Sequence, residues 1–310
     1  MMRTSRKVAL GAVATLLLFL GAAGGQELAV AGAGHRTAGV AYVPATDPDF
    51  DAGRHRLDVY APRKSAPTLR PVVVFLHGGS WNSGDKDSYR FIGRRLAQQG
   101  YVAVIVSYRL SPAVQVPAMA DDCARAVLWT EQHAAEYGGD PARIYLLGHS
   151  AGGGLAALLA TDDSLFSRRG QPRNPVRGVV LDDAAGLDMY SYLQKLEYEG
   201  DANYLIPFGP DPAVWRQTSA LYYLRAGQPR FVIFLGGKTY PSITKVGHEF
   251  QQRLTQVGNP AELIVIPGRH HIPMVLQLYF GGNIIYRKLR ELVNANAPLP
   301  HQPRVELKAG

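Results

Sequence analysis

The sequence predicts an α/β fold with a mostly parallel central sheet and helices on both faces. Short apolar runs alternate along the chain with segments of helical periodicity, which is the order that builds parallel sheets. One of these runs, residues 71–76, is apolar throughout, as is typical of a strand covered on both faces. With 310 residues, 46% of them hydrophobic, the chain can bury a sizeable core, and no linker-like stretch divides its middle.

Each predicted element follows from its local pattern. Alternating apolar and polar residues predict an antiparallel pair of strands at residues 39–43 and 56–60. Continuous apolar runs predict buried strands, and helical periodicity closed by glycine predicts helices. The further predicted strands are residues 71–76, 101–107, 143–147, 176–181, 231–235 and 262–266. The predicted helices are residues 90–99, 117–137, 151–160, 242–257 and 274–293.

Residues 184–226 interrupt this alternation, and we call this segment the insertion. It is rich in aromatic side chains, which favours either a cap over a site or an excursion packed onto the domain. These aromatic residues are Tyr190, Tyr192, Tyr198, Tyr204, Phe208, Trp215, Tyr222 and Tyr223.

The N-terminus has the order of a secretory signal peptide: basic residues, an apolar stretch, then small residues. We expect residues 1–31 to be this signal peptide, with an uncertain cleavage site, and the protein to be exported to the periplasm or secreted. The alternative is a retained membrane anchor, although the apolar run is short for one. After cleavage we expect no stable membrane association. Residues 32–297 then form one α/β domain, and the polar residues 298–310 form a flexible tail.

Charge and composition exclude several classes of function. The formal net charge is +8, but lysines and arginines are scattered among acidic residues and form no basic stripe, which argues against nucleic-acid binding. The single cysteine, Cys123, cannot form an intrachain disulfide. Histidines and acidic residues are not clustered at metal-ligand spacing, so we expect no metal and no organic cofactor.

The first chemical motif is a G-x-S-x-G pentapeptide, residues 148–152, with Ser150 at its centre. A predicted strand runs into it and a helix of small residues, 151–160, follows at once. This strand–turn–helix setting is that of a nucleophile elbow, in which a strained turn presents the serine. Gly148 and Gly152 give the clearance that such a turn needs. The motif predicts Ser150 as a catalytic nucleophile; the structural alternative is a glycine-rich turn with an inert serine.

The second motif is the sequence His77–Gly78–Gly79–Ser80–Trp81, which follows a predicted strand. Acyl transfer places negative charge on a carbonyl oxygen, and backbone N–H groups aimed at that oxygen lower the barrier. A glycine-rich loop after a strand can offer such groups. We therefore predict an oxyanion hole formed by Gly79, Ser80 and Ala151, the residue after the nucleophile.

Together the two motifs resemble the α/β-hydrolase superfamily, near its feruloyl-esterase-like and arylformamidase-like carboxylesterases with an HGGxW loop. The segments at residues 56–62, 108–112 and 138–144 also resemble this branch, and the likeness covers roughly residues 36–294. The resemblance implies an α/β-hydrolase fold with a small cap-like insertion, hydrolysis of an ester or amide, and the chain order serine, acid, histidine.

The resemblance implies that the catalytic base lies near the C-terminus. Residues 267–273, Pro-Gly-Arg-His-His-Ile-Pro, follow a predicted strand where the family carries its histidine. Family spacing favours His271, with His270 as the second choice. A histidine suits this role because its pKa lets it accept and return a proton near neutral pH.

The acid departs from the family pattern. The family usually carries an aspartate after the strand that corresponds to residues 231–235, and residues 236–242 here contain no carboxylate. A minority of the fold takes the acid from the preceding strand, where this chain has two aspartates. We therefore predict Asp182 as the acid, with Asp183 and then Glu249 as alternatives. A further alternative leaves His271 oriented by a hydroxyl or a backbone carbonyl.

These residues predict a carboxylesterase that forms an acyl-enzyme on Ser150 and acts on a small-molecule ester. Amide hydrolysis at the same site, as in an arylformamidase, shares the nucleophile and the oxyanion hole, so the sequence does not separate the two. The third hypothesis is a non-catalytic binding protein on a hydrolase scaffold, since fold does not prove activity. Retention of both motifs and His271 favours an enzyme.

Overall fold

The computed structural model describes residues 34–64, 66–197 and 200–296. The predicted signal peptide, residues 1–31, and the predicted tail, residues 298–310, lie outside the described residues. None of the helices in the described ranges combines the length and the apolar character that a bilayer crossing requires.

The described part of the chain forms one eight-stranded sheet in the order β1-β2-β4-β3-β5-β6-β7-β8. β2 pairs antiparallel with β1 and β4, and every later pairing is parallel. This confirms the predicted mostly parallel sheet. The strands are β1 (His35–Ala41), β2 (Arg56–Ala61), β3 (Arg70–Leu76), β4 (Val102–Val106), β5 (Gly139–His149), β6 (Val176–Asp182), β7 (Arg230–Gly236) and β8 (Glu262–Ile266).

Helices connect the parallel strands, as the predicted crossover pattern requires. The α-helices are α1 (Arg90–Gln98), α2 (Val116–His133), α3 (Ala151–Thr161), α4 (Ser164–Ser167), α5 (Met189–Lys195), α6 (Leu205–Phe208), α7 (Pro212–Gln217), α8 (Pro241–Gln256), α9 (His271–Leu276) and α10 (Ile284–Ala295). Short 3-10 helices lie at Lys86–Tyr89, Ala134–Tyr137, Asp201–Tyr204, Ala220–Tyr223 and Gln277–Tyr279.

Two hydrophobic layers cover the two faces of the sheet. The larger layer packs α2, α3, α8 and the insertion against one face. The smaller layer packs α1, α9 and α10 against the other. Side chains alternate between the layers along each strand, so that Val72 and Val74 contribute to the first and Val73 and Phe75 to the second. Because both faces are covered, β3 is apolar at every position from Pro71 to Leu76.

The structure differs from the sequence prediction in the bounds of several elements. β5 begins at Gly139, four residues before its predicted start, and α2 ends at His133, where a 3-10 helix follows. β1 begins at His35, four residues before the predicted start, because its first residues pair with β2 although their side chains are exposed. The predicted helix 274–293 is wrong: α9 ends at Leu276, a short 3-10 turn follows, and α10 begins at Ile284. Asn283 caps α10 by accepting a hydrogen bond from the N–H of Tyr286, at 3.0 Å.

Candidate active site

Ser150 occupies the sharp turn between β5 and α3, with φ 55° and ψ −124°. A non-glycine residue at positive φ costs about 1–3 kcal/mol and persists only where its surroundings enforce it. Here the packing leaves no room for larger neighbours. A Cβ at Gly152 would lie 2.1 Å from the carbonyl oxygen of Leu76, and one at Gly148 would lie 2.3 Å from the carbonyl oxygen of Gly152. The two glycines of the pentapeptide therefore permit the strained turn.

A hydrogen-bonded chain of three side chains begins at this serine. The Oγ of Ser150 lies 2.8 Å from Nε2 of His271, and Nδ1 of His271 lies 2.6 Å from Oδ2 of Asp183. A carboxylate only accepts, so Nδ1 carries the ring proton and Nε2 accepts the serine hydroxyl. Ser150 remains 8% exposed and Asp183 is fully buried. The arrangement is that of a nucleophile, a base and a group that orients the base.

Asp183 is held by two further donors from the neighbouring strand end. The N–H of Gly236, the last residue of β7, donates to its Oδ1 at 2.8 Å. The hydroxyl of Thr239 donates to its Oδ2. The backbone of Asp183 has φ 52°, and its own N–H donates to the carbonyl oxygen of Phe234 at 2.9 Å. These contacts fix the carboxylate that faces His271.

The prediction that Asp182 is the partner of His271 is wrong, and Asp183 occupies that position instead. Asp182 is the last residue of β6 and pairs in register with Phe234, which lies in the smaller hydrophobic layer. Its carboxyl group is fully buried, and neither oxygen has a hydrogen-bond partner among the described residues. Burial, and then the charge of Asp183, raise the pKa of Asp182 well above its ordinary value, which favours the protonated form.

Neither Glu249 nor His270 takes part in the hydrogen-bonded chain among the described residues. Glu249 is on α8 and pairs with Lys245 at 3.7 Å. His270 precedes α9 as its N-cap residue. His271 is the first residue of α9, which places its ring over the serine, so the structure brings together Ser150, His271 and Asp183.

The His77–Trp81 loop passes beside the nucleophile, as predicted for an oxyanion loop. A Cβ at Gly78 would lie 3.0 Å from the Cβ of Ser150, so a larger residue would crowd the serine at this approach. The N–H groups of Gly79 and Ser80 donate to no acceptor among the described residues. Ala151 begins α3, whose N-terminus places partial positive charge at the same point. Gly79 and Ser80 therefore belong to the loop beside Ser150, and Ala151 to the helix that follows it.

Two further histidines beside the serine are buried and neutral. The ring of His77 stacks on Tyr108 at 4.3 Å, and its Nδ1 lies 2.8 Å from the carbonyl oxygen of Gly78. Burial lowers the pKa of His77 to about 4. His149 lies with its Nε2 3.2 Å from the carbonyl oxygen of His271, and burial lowers its pKa well below the ordinary value. Both rings support the backbone of the site.

A small surface cleft of about 50 Å³ lies between the insertion and α8. It is lined by Asp188, Ser191, Tyr192, Lys195, Glu197, Ser242, Lys245, Val246 and Glu249, so hydroxyl groups and charges dominate its surface. Tyr240 lies beside the base: its ring centroid is 5.2 Å from that of His271, and 58% of the residue is exposed.

Within the described residues, no group of three or more histidine, cysteine or acidic side chains is arranged to hold a metal ion. Sequence reasoning also missed two functional contacts, the hydroxyl of Thr239 and the N–H of Gly236. The sequence shows that no acid follows β7, but no local pattern indicates that this loop donates hydrogen bonds to the acid of its neighbour.

Comparison with known proteins places this geometry in a family. The model of the BD-FAE family matches residues 57–243, which is more than half of the chain. The chain belongs to the BD-FAE family. This confirms the resemblance to the esterase branch of the α/β hydrolases. The match includes the His77–Trp81 loop, Ser150 and Asp183, and ends before His271.

Two curated relatives have esterase names. A probable isoprenylcysteine alpha-carbonyl methylesterase of Arabidopsis thaliana is 29% identical over 250 residues, covering 76% of this chain and 52% of that protein. Carboxylesterase NlhH of Mycobacterium tuberculosis is 46% identical over 92 residues, covering 29% of this chain and 28% of that protein. The chain thus spans about half the length of the methylesterase.

Among solved structures, esterase B from Lactobacillus rhamnosis (HN001) superposes with a TM-score of 0.74 at 21% sequence identity. The match covers 92% of this chain and 93% of that chain. At this identity the likeness shows the fold, and it confirms the predicted α/β-hydrolase fold.

Proposed function

We propose that the protein is a serine carboxylesterase that cleaves small-molecule carboxylic esters through an acyl-enzyme on Ser150. The observation that carries this proposal is the hydrogen-bonded chain Ser150–His271–Asp183, with distances of 2.8 and 2.6 Å, at a strained strand–helix turn. Backbone strain concentrated at an accessible hydroxyl is typical of a functional site, because a merely structural serine would relax to an ordinary conformation.

In the proposed mechanism His271 takes the proton of Ser150 as the Oγ attacks the ester carbonyl carbon. The N–H groups of Gly79, Ser80 and Ala151 stabilise the oxyanion of the tetrahedral intermediate, at about 2.7–4 kcal/mol for each donor. Collapse expels the alcohol, which receives its proton from His271. A water molecule, deprotonated by the same ring, then attacks the acyl-enzyme and releases the acid.

In this mechanism Asp183 holds His271 in the tautomer that can accept the serine proton, and it stabilises the imidazolium that forms. Its burial excludes competing water from the hydrogen bond to Nδ1. The neutral histidines His77 and His149 add no charge beside the oxyanion. The local charge change during the reaction is therefore confined to His271 and the substrate.

The first test is hydrolysis of p-nitrophenyl butyrate by the wild-type protein and by Ser150→Ala. We expect turnover in the wild type and a loss of about 10⁴-fold or more in the variant, since removal of the nucleophile leaves only binding and the oxyanion hole. Ser88→Ala, which removes a hydroxyl that contacts Asp85, is the matched control and should keep wild-type turnover. Equal turnover in Ser150→Ala would refute the proposal.

Amide hydrolysis and simple binding give different outcomes in the same assay series. An amide hydrolase would turn over N-formyl anilides faster than the matching phenyl esters, with both activities lost in Ser150→Ala. A binding protein on this scaffold would hydrolyse neither substrate at any pH. Amide and ester hydrolysis share every step up to departure of the leaving group. The ratio of amide turnover to ester turnover is therefore the quantity to measure.

We also propose that the protein is exported. The order of charge and apolarity in residues 1–31 supports this, and these residues lie outside the described part of the chain. Expression of the full chain in a bacterium should give a shortened mature protein in the periplasm or medium, measured by intact mass. Full-length protein in the membrane fraction would identify the segment as an anchor instead.

A further inference from the structure

The His77–Trp81 loop contains three successive residues with positive φ. The values are 127° at Gly79, 52° at Ser80 and 60° at Trp81. The last two are side-chain-bearing residues, for which this conformation is strained. Ser83 ties the near end of the loop, because its N–H and its hydroxyl both donate to the carbonyl oxygen of Gly79, at 3.0 and 2.9 Å. The strained backbone of Ser80 and Trp81, after Gly79, needs separate constraints.

One constraint is the N–H of Ser111, which donates to the carbonyl oxygen of Trp81 at 2.9 Å. A second is the side chain of Trp81, which is 3% exposed and so presents almost no surface to a substrate. The centroid of its ring lies 4.8 Å from that of Phe208 and 5.8 Å from that of Tyr204, and both ring pairs are edge-to-face. It also lies so close to Gly186 that a Cβ there would stand 2.7 Å from its Cζ2 atom. These three contacts all come from the insertion.

The insertion holds these contacts rigidly. Phe208 is 1% exposed, and the residue after it, Gly209, accepts a hydrogen bond of 2.8 Å from the indole N–H of Trp215. Tyr204 also packs on Tyr192 at 5.9 Å. The insertion therefore presents a fixed aromatic surface to Trp81 rather than a loose flap.

We propose that the insertion positions the oxyanion hole, with Phe208 and Trp81 as positioning residues that hold the strained backbone of Gly79 and Ser80. The inference rests on the proposed function, since it concerns how that site stabilises an oxyanion. Displacement of such N–H groups by a fraction of an ångström weakens the transition state much more than the ground state, in which little charge has formed.

The test compares Phe208→Ala with Tyr190→Ala in the full-length protein. Tyr190 is also an aromatic residue of the insertion, but it packs on Tyr222 at 5.7 Å and has no ring contact with Trp81 among the described residues. With p-nitrophenyl butyrate we expect Phe208→Ala to lower kcat by about 10–100-fold and to leave KM within about threefold, because the lost interaction belongs to the transition state. Tyr190→Ala should keep wild-type kcat.

A readout specific to the oxyanion hole is the inhibition constant of trifluoromethyl butyl ketone. The Oγ of Ser150 forms a bond to its carbonyl carbon, the carbonyl π electrons move to oxygen, and the serine proton passes to His271. The resulting oxyanion occupies the hole. In Phe208→Ala this inhibition constant should rise by the same factor as kcat falls, whereas that of methyl butyl ketone should not change.

Thermal unfolding of each variant separates a positioning role from loss of the fold. If Phe208→Ala shows no cooperative transition, the same measurements are made on Phe208→Leu, which keeps most of the side-chain volume. We expect this variant to lower kcat by about 3–10-fold. Wild-type kcat in a folded Phe208 variant, or a change in KM alone, would overturn the inference and leave the esterase intact. Absence of Ser150-dependent turnover in the wild type would overturn the proposed function, and this inference with it.

Discussion

The carboxyl ends of β6 and β7 lie side by side in the sheet and carry opposite hydrogen-bonding chemistry. The end of β6 supplies two carboxyl groups, Asp182 and Asp183, whereas the loop after β7 supplies donors, the N–H of Gly236 and the hydroxyl of Thr239. The resemblance to other α/β hydrolases implies an acid after β7, and here the acid that faces His271 comes from β6. The loop after β7 carries no acid here and instead donates hydrogen bonds to the carboxylate of Asp183.

The comparison teaches that the position of the carboxylate is more constrained than the strand that supplies it. His271 needs an acceptor near its Nδ1, and two neighbouring strand ends can both reach that point. A carboxylate from β6 needs partners for its remaining lone pairs when it is buried. The donors after β7 meet this need, so the two strand ends work as one unit.

We expect the largest effect from a substitution of the carboxylate itself. Asp183→Asn should lower kcat/KM for p-nitrophenyl butyrate by about 10³–10⁴-fold, since an amide at this position can stabilise the wrong tautomer of His271. Asparagine is the suitable substitution because it tolerates the positive φ of this residue.

Asp182→Asn is the matched control, one residue away and equally buried. Its side chain faces the smaller hydrophobic layer and has no hydrogen-bond partner within the described ranges, so turnover should stay within about threefold of the wild type. Comparable losses in the two variants would mean that the end of β6 acts as a whole rather than through Asp183.

A smaller effect should follow from weakening the contribution of β7. Thr239→Val removes the hydroxyl that donates to Asp183 while keeping the shape of the side chain. We expect kcat/KM to fall by about 3–10-fold, the size expected for the net contribution of one ordinary hydrogen bond, because Gly236 still donates to the carboxyl group. Thr239→Ser should restore most of the loss. An unchanged rate in Thr239→Val would show that Gly236 alone is sufficient to hold the acid.

The sequence predicted most of the sheet and the turn at Ser150 because each depends on local patterns, whereas His271 followed from the resemblance to the α/β hydrolases. Apolar runs predict strands, and the pentapeptide around Ser150 predicts the turn in which the serine lies. The acid was different, because Asp182 and Asp183 are adjacent and a strand sends successive side chains to opposite faces. The predicted strand ended at residue 181 and β6 ends at Asp182, so a shift of one residue decides which carboxyl group meets His271.

The broken helix near the C-terminus has a different cause. Helical periodicity continues on both sides of Gly281 and Gly282, and the prediction followed the period across them. Two consecutive glycines before Asn283 are a breaker and a cap, a signal that was present in the sequence. The role of the loop after β7 had no such signal, because it depends on which neighbouring strand supplies the acid.

The last expected effect concerns stability rather than turnover. Burial raises the pKa of Asp182, so the folded protein keeps this proton at pH values where the unfolded chain has lost it. The folded state then binds more protons, and this group's contribution to stability is lost as pH rises above the ordinary carboxyl range. The free energy of unfolding then falls by about 1.4 kcal/mol per pH unit until the folded pKa is reached.

Asp182→Asn removes this titration. The free energy of unfolding of the variant, measured with urea between about pH 5 and pH 7, should therefore fall less steeply with pH than that of the wild type. Parallel profiles would mean that Asp182 ionises in the folded protein as it does in the unfolded chain.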